Sequence, residues 1–230
     1  MDWEGVSTIH PQVKSKLLPM KWPCFRDENV CSLPKIGSVQ SRVAFISTNK
    51  KSFKFSPPKG SFFQFIKYSL VFAYTISLKT TKKFRSCCLY HEKMKVLKYL
   101  LDGDLVDIYG RGWDKSNFFK QYPSSIMGPI KDKESVLSNY KFSLCIENMR
   151  FPGYLTEKIY DALFAFSIPI YLGDPEIDKK IPKNCYIDLR DFRDYNDLVD
   201  YLTSMPEELY DDYILSIKKF VDSYEKNTFT

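Results

Sequence analysis

Five short runs, each almost wholly apolar, constrain this chain more than anything else in it. They are Val43-Ala44-Phe45-Ile46-Ser47, Leu105-Val106-Asp107-Ile108-Tyr109, Phe142-Ser143-Leu144-Cys145-Ile146, Ile168-Pro169-Ile170-Tyr171-Leu172 and Cys185-Tyr186-Ile187-Asp188. A strand with one wet face alternates apolar and polar residues. A run without that alternation is buried on both faces, as in a parallel sheet covered by helices. The segments between the runs carry helical periodicity. Residues 90 to 101 place Tyr90, Met94, Leu97 and Leu101 on one face and lysines on the other, and Asp102-Gly103 closes the helix. A short helix is predicted over Lys133 to Asn139. Another runs from Thr156 to about Phe166, with Ile159, Ala162, Leu163 and Phe166 inward, and two more cover about 194–204 and 206–223. This alternation predicts an α/β fold, a doubly wound parallel sheet with ligands at the carboxyl ends of its strands.

Composition narrows the function classes. Hydrophobic residues make up 44% and charged residues 27% of the 230, which describes a folded globular chain rather than a disordered one. The net charge of +6 fits a phosphate-bearing ligand, an anionic membrane surface or nucleic acid. The lysines are scattered, and neither an RNA-module aromatic motif nor zinc-finger spacing is present, so nucleic acid is not an expected partner. The six cysteines form no C-x-x-C pair, and His10 and His91 are the only histidines, so no metal site is expected. Cys145 reads as a buried thiol. Cys24 and Cys31 suit a local disulfide or free thiols equally. Residues 1 to 20 have no apolar core of the signal-peptide kind. Ser61 to Leu78 is apolar and aromatic but broken by Gln64 and Lys67, and reads as a packed or interfacial helix or a buried insert rather than a membrane span. Pro11, Pro19, Pro23 and Pro34 make residues 1–40 irregular.

The candidate chemistry lies in the loops after the strands: Thr48-Asn49, Gly110-Arg111-Gly112, Glu147 to Glu157, and Gly173-Asp174-Pro175. The third leads straight into a helix whose first turn holds Thr156, Glu157 and Lys158. A helix N-terminus presents free N–H groups and partial positive charge, and so favours phosphate. Thr156 suits the N-cap. A lysine there opposes the helix dipole by a few tenths of a kcal/mol. It is explained either by a bound anion or by a solvated side chain pointing away.

Three segments carry a resemblance. They are Tyr140-Lys141-Phe142-Ser143-Leu144-Cys145-Ile146-Glu147-Asn148, Gly153-Tyr154-Leu155-Thr156-Glu157-Lys158-Ile159-Tyr160-Asp161-Ala162, and Ile168-Pro169-Ile170-Tyr171-Leu172-Gly173. Together they resemble the donor-binding signature of the α-1,3/α-1,4-fucosyltransferases of glycosyltransferase family 10. Val106-Asp107-Ile108-Tyr109-Gly110 and Asp188-Leu189-Arg190-Asp191-Phe192 resemble the same family. The resemblance implies a GT-B architecture with a Rossmann-like C-terminal domain. Here that domain is 41–230 with an insert at about 50–90, and 1–40 is a remnant of an incomplete N-terminal acceptor domain. It implies an inverting fucosyltransferase that takes L-fucose from GDP-fucose and needs no obligatory metal or other cofactor. The acceptor would be a glycan of a glycolipid, lipopolysaccharide or glycoprotein. By carry-over, Lys158 contacts the diphosphate, Glu157 the donor hydroxyls, Tyr154 packs against the donor and Asn148 faces the phosphates. The family's phosphate-binding arginine aligns with Lys93, and Arg85 is a substitute. Phe166 stands where the family has a small residue. Asp2, Glu4, Asp27 and Glu28 are the only acids in the first 40 residues, and none matches the family's catalytic base, which stays unassigned. The implied setting is cytoplasmic with peripheral membrane contact, or Golgi if the chain is a fragment of a eukaryotic enzyme. Two alternatives stay open: a truncated member that binds GDP-sugar without transferring it, and a transferase for another GDP-sugar.

Overall fold

The structure, a computed structural model, describes residues 39–49 and 87–228, with side chains to 223. The expectations for the N-terminal remnant, the Cys24–Cys31 pair, the insert, Ser61 to Leu78 and Arg85 lie outside these residues.

The described chain is built from strands β1 (Gln40–Ile46), β2 (Val106–Tyr109), β3 (Ile126–Gly128), β4 (Tyr140–Ile146), β5 (Ile168–Leu172) and β6 (Ile187–Asp188). Helices α1 (Tyr90–Asp102), α2 (Lys133–Leu137), α3 (Glu157–Phe164), α4 (Tyr195–Ser204) and α5 (Glu207–Thr228) accompany them. The strands form one sheet in the order β3-β2-β1-β4-β5-β6, and each pair is parallel. This is the doubly wound α/β fold that the apolar runs predict. β4 and β5 are buried at all positions but Lys141, as strands covered on both faces must be. Along β1 the side chains divide between two cores. Val43 and Phe45 join the large one with Val96, Leu97 and Leu100 of α1, and Ala44 joins a smaller one with Leu137 of α2 and Tyr140.

The structure departs from the sequence reading in four places. β3 was not expected. Its three residues sit at the sheet edge between Pro123-Ser124-Ser125 and Pro129, too short for any apolar pattern. The inner face of α1 is Lys93, Val96, Leu97, Leu100 and Leu101, so a lysine is buried on the face expected to be apolar, while Tyr90 is exposed. α1 and α3 both end in paired backbone bonds of the Schellman type, Asp104 N–H to Leu101 with Leu105 N–H to Leu100, and Phe166 N–H to Leu163 with Ser167 N–H to Ala162. The left-handed residue is Asp104 (φ 51°) in the first, not Gly103, and Phe166 (φ 54°) in the second. Phe166 is therefore no extension of the helix but its C-terminal stop, and its ring is buried in the main core.

Asp107, in the middle of β2, is a tie between strands. It is buried, pairs with Arg42 of β1 at 2.9 Å, and accepts a hydrogen bond from the Tyr140 hydroxyl of β4 at 2.8 Å.

Candidate functional site

The strand order reverses beside β1: the chain extends through β2 and β3 on one side and through β4, β5 and β6 on the other. Ligands of doubly wound sheets bind at this switch point, where the loops leaving adjacent strands diverge. A cavity of about 610 Å³ opens there. Thr48 and Asn49 after β1, Gly110 and Arg111 after β2, and Asn148 after β4 line it. Its charged lining is Lys93, Arg111, Lys131, Lys133 and Lys158 against Glu157 and Asp161. The excess of cations suits a phosphorylated ligand.

Two sets of contacts hold the loops. Trp113 donates its indole N–H to the Ser47 carbonyl at 2.6 Å, and Asn49 donates through its backbone to Arg111 and through its side chain to Gly112. Gly110 makes this approach possible. Its φ is +122°, and a Cβ there would lie 1.9 Å from the Ser47 carbonyl oxygen. On the other side, Leu89 donates to the Asn148 carbonyl and Arg150 to that of Cys87. The segment entering α1 is thus strapped to the loop leaving β4.

Between these loops lies a buried carboxylate. Glu147, directly after β4, has no exposed surface. It accepts the Thr156 backbone N–H at 2.9 Å, the Thr156 hydroxyl at 2.7 Å and the Lys158 ammonium at 2.7 Å. The ammonium also donates to Thr156 Oγ1 at 2.7 Å. Thr156 stands at the N-cap of α3 with extended backbone, but its side chain makes no cap bond; its hydroxyl donates to Glu147 and its oxygen accepts from Lys158 instead. Lys158 therefore follows neither sequence reading in full. It is not a solvated lysine, since its side chain is 19% exposed and bound to a carboxylate. It does line the cavity.

Lys93 approaches from α1, its ammonium 3.5 Å from Asn148 Oδ1. Burial first, and the charge of Lys158 second, lower its pKa from 10.5 to about 8, while Glu147 holds it up. Cys145 is the buried thiol expected. It donates to the Lys158 carbonyl at 3.2 Å, and burial pushes its pKa far up, so it is no nucleophile.

The Gly173-Asp174-Pro175 loop braces the site rather than lining it. Asp174 is buried and accepts Lys180 Nζ at 2.7 Å, the Glu176 N–H at 2.9 Å and the Gly153 N–H. Burial alone raises a carboxyl pKa, but these donors outweigh it and hold Asp174 below the usual range. Among the described residues, no cluster of histidine, cysteine, aspartate or glutamate is placed to hold a metal ion, and no helix is long and apolar enough to cross a membrane.

The model of glycosyltransferase family 10 (fucosyltransferase), C-terminal part, matches residues 77–224, more than half of the chain. The chain belongs to this family. Among curated relatives, the alpha-(1,3)-fucosyltransferase FucT of Helicobacter pylori is 42% identical over 73 residues, covering 32% of this chain and 15% of that protein. Alpha-(1,3)-fucosyltransferase B of Drosophila melanogaster is 37% identical over 97 residues, covering 41% of this chain and 21% of that protein. The matched stretches therefore span about a fifth or less of these two relatives. A solved alpha1,3-fucosyltransferase with GDP is 22% identical, with a TM-score of 0.47, and covers 75% of this chain and 37% of that one.

In this family 10 chain, four of the six residues singled out from sequence meet at one cavity: Asn148, Glu157, Lys158 and Lys93 all line it. Thr156 and Tyr154 do not. Thr156 sits behind Lys158 as its second acceptor. Tyr154 is half-buried in the turn after Gly153, its N–H bonded to the Phe151 carbonyl. Glu147 was named in sequence only as part of the strand–loop run. Its signal was an acid ending an apolar run, but its partners lie nine and eleven residues away and depend on how the loop folds back.

Proposed function

We propose that this family 10 chain transfers L-fucose from GDP-fucose to a glycan hydroxyl, with inversion to an α-linkage and without an obligatory metal. One observation carries the reading. At the switch-point cavity, the α3 N-terminus has no side-chain cap, and two buried or half-buried lysines, Lys93 and Lys158, stand beside it. Open first-turn amides and two ammonium groups form a site for a diphosphate. The kinship to proteins named alpha-(1,3)-fucosyltransferases supports fucose as the sugar. In this reading Lys158 and Lys93 neutralise the charge that develops on the departing GDP. Glu157 at the head of α3 hydrogen-bonds donor hydroxyls, Asn148 faces the phosphates, and Tyr154 packs against the donor as the loop closes. The acceptor is a glycan carried on a glycolipid, lipopolysaccharide or glycoprotein, met in the cytoplasm at a membrane's edge. The base that takes the acceptor proton must come within hydrogen-bond reach of the attacking oxygen, and no described residue is assigned to that role.

Calorimetric titration with GDP and GDP-fucose tests the site, with Lys158→Ala alongside. Wild type binds both ligands, and the variant loses about 10- to 100-fold in affinity, the worth of one charge-assisted contact. Folded wild-type protein that ignores millimolar GDP sinks the reading. Binding of GDP-fucose without GDP release in the presence of glycan acceptors favours a donor-binding chain over a transferase.

A further inference from the structure

We infer that Glu147 is a positioning residue for the anionic end of the nucleotide ligand, an assignment that rests on the donor-site reading above. Glu147 lies beneath the cavity, not on its lining, and is wholly buried. It therefore touches no ligand and acts through Thr156 and Lys158. It does three things at once. By turning the Thr156 hydroxyl towards itself and drawing the Lys158 ammonium onto its oxygen, it keeps that side chain from capping the helix and leaves the first-turn amides of α3 for the ligand. By taking one proton of the Lys158 ammonium, with Thr156 Oγ1 taking a second, it fixes the direction of the third. By binding the Thr156 N–H, it closes the loop from β4 to α3 in one arrangement. The carboxylate is itself held. Its backbone N–H bonds to Leu172 of β5, and Gly173 packs so close that a Cβ there would lie 2.5 Å from Glu147 Cγ. A ligand-binding cation preorganised by a rigid supporting group loses less freedom when the ligand arrives.

The sign of one measurement decides this. Simple electrostatics holds that an anion beside a phosphate site weakens it, so Glu147→Gln should then tighten GDP binding. Positioning holds the opposite. The glutamine amide keeps the size and one acceptor but turns donors towards Lys158 and Thr156.

The experiment titrates the full chain, wild type and Glu147→Gln, with GDP by calorimetry and with guanosine by saturation-transfer NMR, and records thermal unfolding of each. The expected result is GDP binding weakened about tenfold or more, the scale of a charge-assisted hydrogen bond, with guanosine affinity unchanged. Thr156→Val, which removes only the hydroxyl, weakens GDP in the same selective way. If Glu147→Gln does not fold, Thr156→Val with the same two ligands carries the test. GDP affinity that is unchanged or tighter overturns the inference. So does equal weakening of GDP and guanosine, which describes a residue that merely supports the fold. Wild-type protein that fails to bind GDP overturns the donor-site reading instead, so the two failures are distinct.

Discussion

Lys93 shows what a buried charge on a cavity wall does to stability. Burial, and then the charge of Lys158, lower its pKa from 10.5 to about 8. A drop of that size corresponds to about 3 kcal/mol of destabilisation at neutral pH. The sign follows from linkage. Between pH 8 and 10.5 the unfolded chain binds the proton and the folded chain does not, so stability rises with pH across that window. Replacing the charge by a flexible apolar chain of similar length removes the cost. Lys93→Met is expected to raise the unfolding temperature while weakening GDP, and a lower unfolding temperature contradicts this account. The same group sets the pH response of binding. A bound diphosphate favours the ammonium, so wild-type affinity for GDP is flat from pH 7 to about 8. It then falls towards tenfold per pH unit, with uptake of one proton per ligand. Titrations in buffers of different ionisation enthalpy measure that uptake directly.

At the scale of an element, α3 carries the cavity-lining Lys158 at one end and an unusual stop at the other. Its last turn closes on Phe166 in the left-handed conformation, where glycine ordinarily stands. For a residue with a Cβ this costs about 1–2 kcal/mol. The ring is 3% exposed within the main core, and that burial offsets the strain. The two effects separate by mutation. Phe166→Ala leaves the strain and opens a cavity, for a loss of about 3–5 kcal/mol. Phe166→Gly opens the same cavity but relieves the strain, so it should unfold at higher temperature than the alanine variant. The reverse order in thermal denaturation would mean that the conformation at 166 is not strained.

At the scale of the whole molecule, Asp107 separates what holds the fold from what serves the site. It belongs to the Val106-Asp107-Ile108-Tyr109-Gly110 run through which the chain resembles its family, yet its carboxylate faces Arg42 and Tyr140 and does not line the cavity. It ties β1, β2 and β4 together at the strands that frame the switch point. Asp107→Asn keeps the shape but weakens the pairing with Arg42, for a stability loss of about 1–3 kcal/mol. Urea denaturation reads that loss. The GDP affinity of the folded variant stays that of wild type, and a selective fall in affinity would make Asp107 part of the site.

Much of this architecture could be read from local pattern. The apolar runs are β1, β2, β4, β5 and β6 to within three residues at their ends, because burial on both faces leaves no alternation to conceal. The helices followed from periodicity. The position of Lys158 at a helix start marks it out from sequence, and it lines the cavity. What local pattern could not settle were the pairings across the sheet. Periodicity puts Lys93 on the wet face because a lysine counts as polar wherever it stands, and only the approach of Asn148 and the charge of Glu147, neither near it in sequence, offsets part of the cost of its burial. Glu147 reads in sequence only as the first residue of a loop. Its role depends on a loop that returns Thr156 and Lys158 to it. β3 has no pattern of its own and is a strand because β2 offers it an edge. Neighbours along the chain were enough to set the helices, every strand but β3, the parallel sheet and the family. Which buried charges meet, as Glu147 meets Lys158 and Asp107 meets Arg42, emerges only on folding, since it depends on which strand and loop lie side by side.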